Sequence, residues 1–333
     1  MAANKEGEMR KNFRILGMAG VLFAAITAVT PAIAQDWPTR PIKLLVGFGP
    51  GGGTDIAARI VADGLTEVLG QPVVVENKPG ASATIAADMV AKGPKDGYTA
   101  LLISSVHVWS AVLYKKISYD PVNDFQMISL IGNAAYVLLA HPDFPAKTLQ
   151  EAITLIKASP GKYNYASNGV GTGQHFAIEL MSQMTGTKLV HIPYRSTPEA
   201  IGALQGKHVD LLLDLIQTVQ GPLEAGTLKP LGVTSLDRFP ALPNSPTFAE
   251  SGLPGYAVTS WYGLALPAGV PAAVVDRMTK AMQQVMANPK IQQQITKAGA
   301  LPASSTPDEL TKFVSSEISK WRETREKVGI PLQ

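Results

Sequence analysis

The stretch KLLVGFGPGGGTDIAARI, residues 43–60, has the residue types of an anion-binding turn. It reads as an apolar strand, a turn crowded with glycine and the start of a helix. Backbone N–H groups at such a helix start can converge on a phosphate or a carboxylate, because no side chain stands in the way. Three consecutive glycines would each cost about 1 kcal/mol inside a helix, so we expect the helix to begin at Thr54, which is also a good N-cap.

A dinucleotide site is one hypothesis for this turn. Gly47, Gly49 and Gly52 match the spacing G-x-G-x-x-G. Glu76, at the end of the next apolar run, stands where a ribose-binding carboxylate is expected. Against this hypothesis, the third glycine of a dinucleotide fingerprint lies within the helix, whereas here it precedes the predicted helix start. A smaller anion is the alternative, and an NAD(P)-binding oxidoreductase stays the second hypothesis.

A second stretch, YASNGVGTGQH at residues 165–175, repeats the order of strand, glycine-rich turn and helix start. Ser167, Asn168 and Thr172 supply hydroxyl and amide donors in this turn. If the two turns face each other, two helix N-termini meet across a cleft. One small anion, or the two ends of a dianion, could then be held mainly by neutral donors.

The order of elements predicts an α/β protein with two lobes. Apolar, unalternating strand patterns alternate with helical patterns, which is typical of mainly parallel sheets flanked by helices. One strand is predicted over residues 125–131 and a new one over 136–140, so we place a linker near Gly132–Asn133. The expected division is residues 35–132 for the first part of lobe 1, 133–254 for lobe 2, and 255–333 for the C-terminal helices of lobe 1.

The N-terminal segment predicts a secretory signal peptide over residues 1–34. A basic start is followed by an apolar run from Ile15 to Val29 and the small-residue site Ala32-Ile33-Ala34, so cleavage is expected after Ala34. The apolar run is shorter than the roughly 20 residues of a spanning helix. Cleavage would remove four basic and two acidic side chains, so the net charge would fall from +3 to +1.

The composition argues against several kinds of chemistry. There are no cysteines, and therefore no disulfide, thiolate metal site or cysteine nucleophile. The five histidines show no metal-ligand spacing, and the sequence has neither a G-x-S-x-G elbow nor an H-E-x-x-H motif. A periplasmic hydrolase is therefore the weakest hypothesis, and we expect no catalytic residue, metal or cofactor. No basic block suggests a nucleic acid partner.

Eight stretches in a fixed order resemble one known family. They are WPTRPIKLLVGFGPGGGTDIAAR, VVVENKPGA, KDGYTALL, FPAKTLQEAITLIKASPGKYNYASNGVGTGQHFAIELM, HIPYRSTPEAI, LKPLGVTSLDR, PTFAESGLPGY and SWYGLALPAGVP. From about Trp37 to Ile330 the chain is similar to the periplasmic solute receptors of tripartite tricarboxylate transporters, known as Bug receptors. The resemblance implies a two-lobed fold like that of type II periplasmic binding proteins, with hinge closure around a carboxylate and no catalysis.

The resemblance also implies ligand-binding residues at strand ends in both lobes. In lobe 1 these are Phe48, Gly51, Gly52, Thr54, Asp55, Asn77, Ser104 and Ser105. In lobe 2 they are Ser167, Asn168, Gly171, Thr172, His175, Tyr194, Arg195 and Asp214. One departure is Gly80-Ala81-Ser82-Ala83, where the family usually reads Gly-Ala-Gly-Gly. Side chains at Ser82 and Ala83 restrict this turn and are expected to narrow the pocket.

Simpler structural roles compete with ligand contact at several of these positions. Asp55 would also complement the positive end of a helix dipole. Asp214 would serve either as a strand-end cap or as a partner for a ligand amine. His175 would either donate to the anion or occupy a solvated helix start. Arg195 offers a bidentate fork for an anion, or steers ligand from the rim.

We therefore predict a monomeric receptor that captures a small organic carboxylate in the periplasm. Its predicted partners are that carboxylate and the membrane subunits of a tripartite tricarboxylate-type transporter, or a sensor protein. Closure should accompany binding, because only the closed state completes the donor sets of both lobes.

Overall fold

The computed structural model describes residues 37–332. The fold lies in a compact unit from Arg40 to Gln333, and the contacts reported below are internal to it. The predicted signal peptide and the cleavage site after Ala34 lie outside the described residues.

Strands and helices alternate along most of the described chain. The strands are β1 Ile42–Val46, β2 Val73–Asn77, β3 Thr99–Ser104, β4 Phe125–Ala140, β5 Asn164–Ser167, β6 Val190–Pro193, β7 Leu211–Leu215, β8 Lys229–Val233, β9 Thr259–Pro267 and β10 Leu301–Pro302. The helices are α1 Gly53–Leu69, α2 Thr84–Ala91, α3 Ser105–Leu113, α4 Leu149–Ala158, α5 Gly173–Thr185, α6 Thr197–Gln205, α7 Ile216–Glu224, α8 Ala272–Ala287, α9 Pro289–Lys297 and α10 Pro307–Val328. No helix within residues 37–332 is long and apolar enough to cross a membrane.

Parallel pairing dominates the two outer parts of the sheet, as predicted. The strand order is β2-β1-β3-β9-β4-β7-β5-β6, with β8 and β10 also paired to β4. In one outer part β1 is parallel to β2 and β3, and in the other β5 is parallel to β6 and β7. The carboxyl ends of the parallel strands in each part therefore meet at one edge, where the glycine-rich turns begin.

The centre of the sheet was not predicted. The sequence suggested separate strands at residues 125–131 and 136–140, but β4 is continuous through Gly132–Asn133. Its first part pairs antiparallel with β9, and its last residues pair antiparallel with β7 and β8. β9 itself went unrecognised, because the glycine and prolines of SWYGLALPAGVP resemble a loop.

The C-terminal helices cover different parts of the fold. α8 and α9 pack on α1. α10 contacts α3 and also α5, whose sequence was assigned to lobe 2. The buried Trp321 of α10 stands edge-on to Trp109 of α3, with ring centroids 6.2 Å apart, and 5.5 Å from the ring of Phe176 in α5. This aromatic cluster links α5, which follows the second glycine-rich turn, to α3 and α10.

Candidate functional site

The first turn, loop 1 (residues 47–52), leads from β1 into α1. The N-cap is Gly52 and the helix begins at Gly53, so the prediction that Thr54 is the N-cap was wrong. The first helical bond runs from Ile56 N to Gly52 O at 3.0 Å. The amides of the preceding residues therefore lie ahead of the helical hydrogen-bond ladder, at the positive end of the α1 dipole.

Asp55 holds loop 1 in place. Its buried carboxylate accepts hydrogen bonds from Gly51 N at 2.9 Å and from both Arg59 Nε and Asn77 Nδ2 at 2.9 Å. Burial by itself would raise the pKa of Asp55, but these donors outweigh it and hold the pKa below its ordinary value. The carboxylate is thus engaged by donors of its own loop, helix and neighbouring strand rather than directed into the turn.

Asn77 and Glu76, at the end of β2, are also engaged. Asn77 Nδ2 donates to Phe48 O at 2.9 Å as well as to Asp55, so it fixes the loop backbone. Glu76, the residue that a dinucleotide site would use for a ribose, forms ion pairs with Lys43 at 2.9 Å and Lys78 at 3.3 Å.

The second turn, loop 2 (residues 168–172), leads from β5 into α5. Thr172 is the N-cap: its hydroxyl accepts from His175 N at 3.5 Å and donates to Gly169 O at 2.8 Å. Gly169 and Gly171 have φ angles of +123° and +77°, which glycine adopts without strain. A glycine at position 171 also leaves space for Leu113 of α3, whose Cδ1 would lie 2.3 Å from an added Cβ.

His175 supports loop 2 from within. Its ring is buried, and Nδ1 accepts a hydrogen bond from Gly171 N at 3.0 Å. The Gly171 amide, proposed from the sequence as a ligand donor, is therefore used inside the loop. The solvated helix-start position considered for His175 is wrong, because the ring stacks on His191 of β6 with centroids 4.3 Å apart.

Asp214 joins several elements around loop 2. Its fully buried carboxylate accepts from Thr197 Oγ1 at 2.8 Å, Leu215 N at 2.7 Å and Thr218 Oγ1 at 3.1 Å. Asn168 Nδ2 donates to Thr197 Oγ1 at 2.8 Å, and so ties loop 2 to the start of α6. Burial raises the pKa of Asp214 even though these donors oppose the shift.

The two helix N-termini approach one polar cluster. A Cβ added to Gly53 would lie 2.8 Å from the Tyr262 hydroxyl and 2.1 Å from Gln217 Nε2. A Cβ added to Gly173 would lie 2.3 Å from the Tyr136 hydroxyl. Both tyrosines are buried, one on β4 and one on β9, and both interact with Ser260. The N-terminal residues of α1 and α5 therefore both lie next to this cluster.

The cluster consists of neutral hydrogen-bonding groups. Ser260 Oγ lies 3.0 Å from Ser105 Oγ, and Gln217 Nε2 donates to the Tyr262 hydroxyl at 3.0 Å. Burial raises the pKa of Tyr262 to about 12, opposed by hydrogen bonds from Gln217 and Ser260. Burial likewise raises the pKa of Tyr136. Both phenols therefore stay protonated and able to donate at neutral pH.

Sequence reasoning missed most of this cluster. Of its members only Ser105 was among the predicted site residues; the others are Tyr136, Gln217, Ser260 and Tyr262. Of the other predicted residues, Ser104 is buried at the end of β3, next to Ser105, and Tyr194 N donates to Ser167 O at 2.9 Å. Arg195 is exposed, and its backbone N–H donates to Glu199 Oε2 at 3.1 Å.

The turn after β2 has unusual backbone geometry. Ala81, Ser82 and Ala83 have φ angles of +45°, +50° and +65°, although none of them is glycine. Each costs about 1–2 kcal/mol in this left-handed region. Ser110 Oγ of α3 donates to Ser82 O at 2.9 Å and helps to hold the turn. A Cβ added to Gly47 would lie 2.3 Å from Ala83 Cβ. The methyl group of Ala83 therefore lies directly against Gly47 of loop 1.

The family model of the tripartite tricarboxylate transporter family receptor matches residues 57–330. The chain belongs to this receptor family. It is 32% identical over 323 residues to the protein BugT of Bordetella pertussis, covering 96% of this chain and 99% of that protein. The Bug resemblance seen in the sequence is thereby confirmed.

Two solved structures with bound carboxylates are similar to this receptor. R. palustris Rpa4515 with adipate has 32% identity and a TM-score of 0.82, and covers 89% of this chain and 100% of that one. MatC from Rhodopseudomonas palustris with bound malate has 30% identity and a TM-score of 0.75, and covers 86% and 99%. The receptor thus has the two-lobed α/β fold of periplasmic binding proteins, and its family is a class of receptors rather than enzymes.

Proposed function

We propose that this receptor captures a small organic carboxylate between two lobes and delivers it to the membrane subunits of a tripartite tricarboxylate-type transporter. The signal-peptide pattern over residues 1–34 supports a periplasmic location with cleavage after Ala34. We further propose lobe boundaries close to those expected from the sequence, with residues 35–132 and 255–333 in lobe 1 and 133–254 in lobe 2.

The observation that carries this proposal is the convergence of Gly53 and Gly173 on the hydroxyls of Tyr262 and Tyr136. Each helix N-terminus presents amides ahead of its hydrogen-bond ladder and the positive end of a dipole. Two such ends at one neutral polar cluster favour an anion that carries negative charge at one or both ends. A carboxylate fits, since it accepts hydrogen bonds from N–H and phenol donors.

In this proposal the predicted site residues divide into two groups. The N–H groups of loop 1 that Asp55 does not engage would contact the ligand, together with the Thr54 amide and the hydroxyls of Ser105 and the two tyrosines. Thr172 supports this arrangement, because its amide donates to Gly169 O at 3.4 Å within loop 2. A second set holds these donors in place through the hydrogen bonds described above: Asp55, Asn77, Ser167, Asn168, Gly171, His175 and Asp214. The exposed Arg195 would steer anions towards the site.

The bound ligands of the two relatives, adipate and malate, are both dicarboxylates. For this chain we propose a small organic carboxylate as the ligand class. A pocket narrowed by Ser82 and Ala83 favours a slim molecule over a branched tricarboxylate.

The test is a thermal-shift screen of the purified protein followed by calorimetry. Dicarboxylates, tricarboxylates, aromatic acids, acidic amino acids and NAD would be compared. We expect stabilisation by at least one carboxylate, as ligand binding to the native state raises the unfolding temperature, and none by NAD. Stabilisation by NAD alone would overturn the proposal.

A matched pair of variants tests the site. Thr172→Val removes the N-cap of α5 at the site, and Thr148→Val removes the equivalent N-cap of α4, where the Thr148 hydroxyl accepts from Glu151 N. Each loses a cap worth about 1 kcal/mol of stability. Only Thr172→Val should weaken carboxylate binding. Equal affinities in the two variants would exclude loop 2 from the site.

A further inference from the structure

Three aromatic rings stack beneath loop 2. His175 and His191 lie nearly parallel, with centroids 4.3 Å apart and 12° between the planes. The other face of His191 stacks on Tyr165, with centroids 4.8 Å apart. His175 lies in the first turn of α5, while His191 and Tyr165 lie on the adjacent strands β6 and β5, so the stack joins three elements.

Each histidine holds one glycine of loop 2 through hydrogen bonds. Gly171 N donates to His175 Nδ1 at 3.0 Å. His191 Nε2 lies 2.6 Å from Ser167 Oγ, and that oxygen is 3.1 Å from both the N and the O of Gly169. The histidine pair therefore fixes the loop at two points, directly and through Ser167.

The hydrogen bonds define the charge state of His175. Because Nδ1 accepts from Gly171, the neutral ring must carry its proton on Nε2. A second proton would have to sit on Nδ1, facing the Gly171 N–H group, and one of two donors would be left without an acceptor. A charged ring would also lie 4.3 Å, centroid to centroid, from the ring of His191.

We propose that the stacked pair positions loop 2 for ligand capture, and does so only while the His175 ring is uncharged. This inference rests on the proposed function, since it adds an acid-sensitive support to the same site. His175 and His191 act through loop 2 and are positioning residues.

Among the described residues, the acidic groups around loop 2 are already engaged by other donors. Asp214 accepts from Thr197, Leu215 and Thr218. Glu179 of α5 accepts from the Tyr165 hydroxyl at 2.9 Å, and burial raises the pKa of its carboxyl group. From α3, Trp109 and Leu113 face this turn and are uncharged. From α10, Trp321 packs on Phe176, which follows His175. Two charged residues of α10 lie near the Trp321 ring. Glu317 accepts a hydrogen bond from Trp321 Nε1 and forms an ion pair with Lys320.

The direction of the pH effect follows from the same contacts. Burial, with a smaller contribution from His191, lowers the pKa of His175 to about 4 from its ordinary value of 6.5. His175 therefore binds a proton more weakly when loop 2 is ordered than when the loop is disordered, and protonation favours the disordered loop. The support given by His175 is therefore complete above pH 6.5 and lost as the pH falls from 6.5 towards 4.

Two substitutions at one position separate the roles of acceptor and ring. In His175→Asn, the amide oxygen replaces Nδ1 as acceptor and does not titrate. In His175→Phe, the aromatic ring is retained but Gly171 N loses its acceptor. His208→Asn, at an exposed histidine, is the control.

The ligand-free readout is hydrogen exchange of the peptide covering loop 2, corrected for the intrinsic effect of pH. At pH 7.5 we expect protection in the native protein and in His175→Asn, and at least tenfold faster exchange in His175→Phe. At pH 5 protection should fall in the native protein but not in His175→Asn. Equal protection in the native protein and in His175→Phe would overturn the proposal.

The ligand readout is the Kd for adipate between pH 7.5 and 5. Protonation of adipate affects all variants equally. The ratio of the Kd of the native protein to that of His175→Asn therefore reports only the protonation of the His175 ring. We expect the native Kd to rise about tenfold more than that of His175→Asn, and the control to follow the native protein. A ratio independent of pH would contradict the proposal. If adipate and every other carboxylate fail to bind, the proposed function fails, while the exchange experiment still decides the role of the histidines.

Discussion

The hydroxyl of Tyr262 lies 2.8 Å from the point where Gly53 would carry a Cβ. Gln217 Nε2 lies still closer to that point and donates to the same hydroxyl. The first residue of α1 is therefore in contact with β9, about 200 residues away in the sequence, and a residue larger than glycine there requires Gln217 to move.

Gly53→Ala should consequently displace Gln217 and weaken ligand binding. The added methyl group must move Gln217 and break its hydrogen bond to Tyr262, which costs about 1–2 kcal/mol. We expect a roughly tenfold rise in Kd by calorimetry. Gly202→Ala is the control, because Gly202 lies in α6 outside the proposed site and a Cβ there meets nothing within 4 Å. If both variants lose affinity to a similar extent, the displacement of Gln217 from Tyr262 is not the cause.

Asp55→Asn should destabilise the protein by about 2–3 kcal/mol, because an amide group would face the donors of Gly51, Arg59 and Asn77. The pKa of Asp55 is lowered in the fold, so its stabilising effect is present above the ordinary value of 3.8 and disappears as the pH falls below it. Urea unfolding at pH 7 and pH 3 measures both effects. Asp63→Asn, on the exposed side of the same helix, should change stability by less than about 0.5 kcal/mol.

Ala81→Gly should not destabilise the protein, although glycine normally lowers stability. Ala81 is exposed and has φ +45°, so glycine relieves strain of about 1–2 kcal/mol and offsets its own entropic cost of about 0.5–1 kcal/mol. Ala273→Gly, at an exposed site in α8, has the entropic cost of glycine but relieves no backbone strain, so it should destabilise the protein. Equal destabilisation of both variants in urea would show that the turn is not strained.

Tyr262 should make stability sensitive to alkaline pH. Burial raises its pKa to about 12 from 10, so the neutral phenol is favoured in the folded state. That contribution is present below pH 10 and is lost as the pH rises from 10 to 12. Between pH 9 and pH 11 the unfolding free energy should fall by about 1 kcal/mol more in the native protein than in Tyr262→Phe. An identical decline in both proteins would contradict this assignment.

The glycine-rich turns could be predicted from the sequence because their signals are local. Strand, glycines and helix start follow one another within about a dozen residues, and the parallel pairing of β1 and β5 places both turns at strand ends. The ion pair between Asp55 and Arg59 also has a local signal, as an acid and a base four residues apart in a helix.

The tyrosine cluster could not be predicted in this way. Tyr136 and Tyr262 lie in apolar segments where a tyrosine reads as core, and they meet only because β4 and β9 pair. The contact of Gly53 with Tyr262 and Gln217 has the same origin, since these residues are distant in sequence. Pairing between strands more than a hundred residues apart leaves no periodic trace in the sequence.

The continuity of β4 limits how the proposed lobes can move. β4 carries two irregularities in its pairing with β9, between Met127 and Ser129 and between Leu130 and Gly132, beside the proposed boundary. Such bulges add local twist to a strand without ending it. Opening of the lobes would then change the twist of the paired strands β4 and β9, rather than rotate the lobes about a flexible linker. A ribbon of this kind returns to one preferred angle, and ligand exchange would be set by its stiffness.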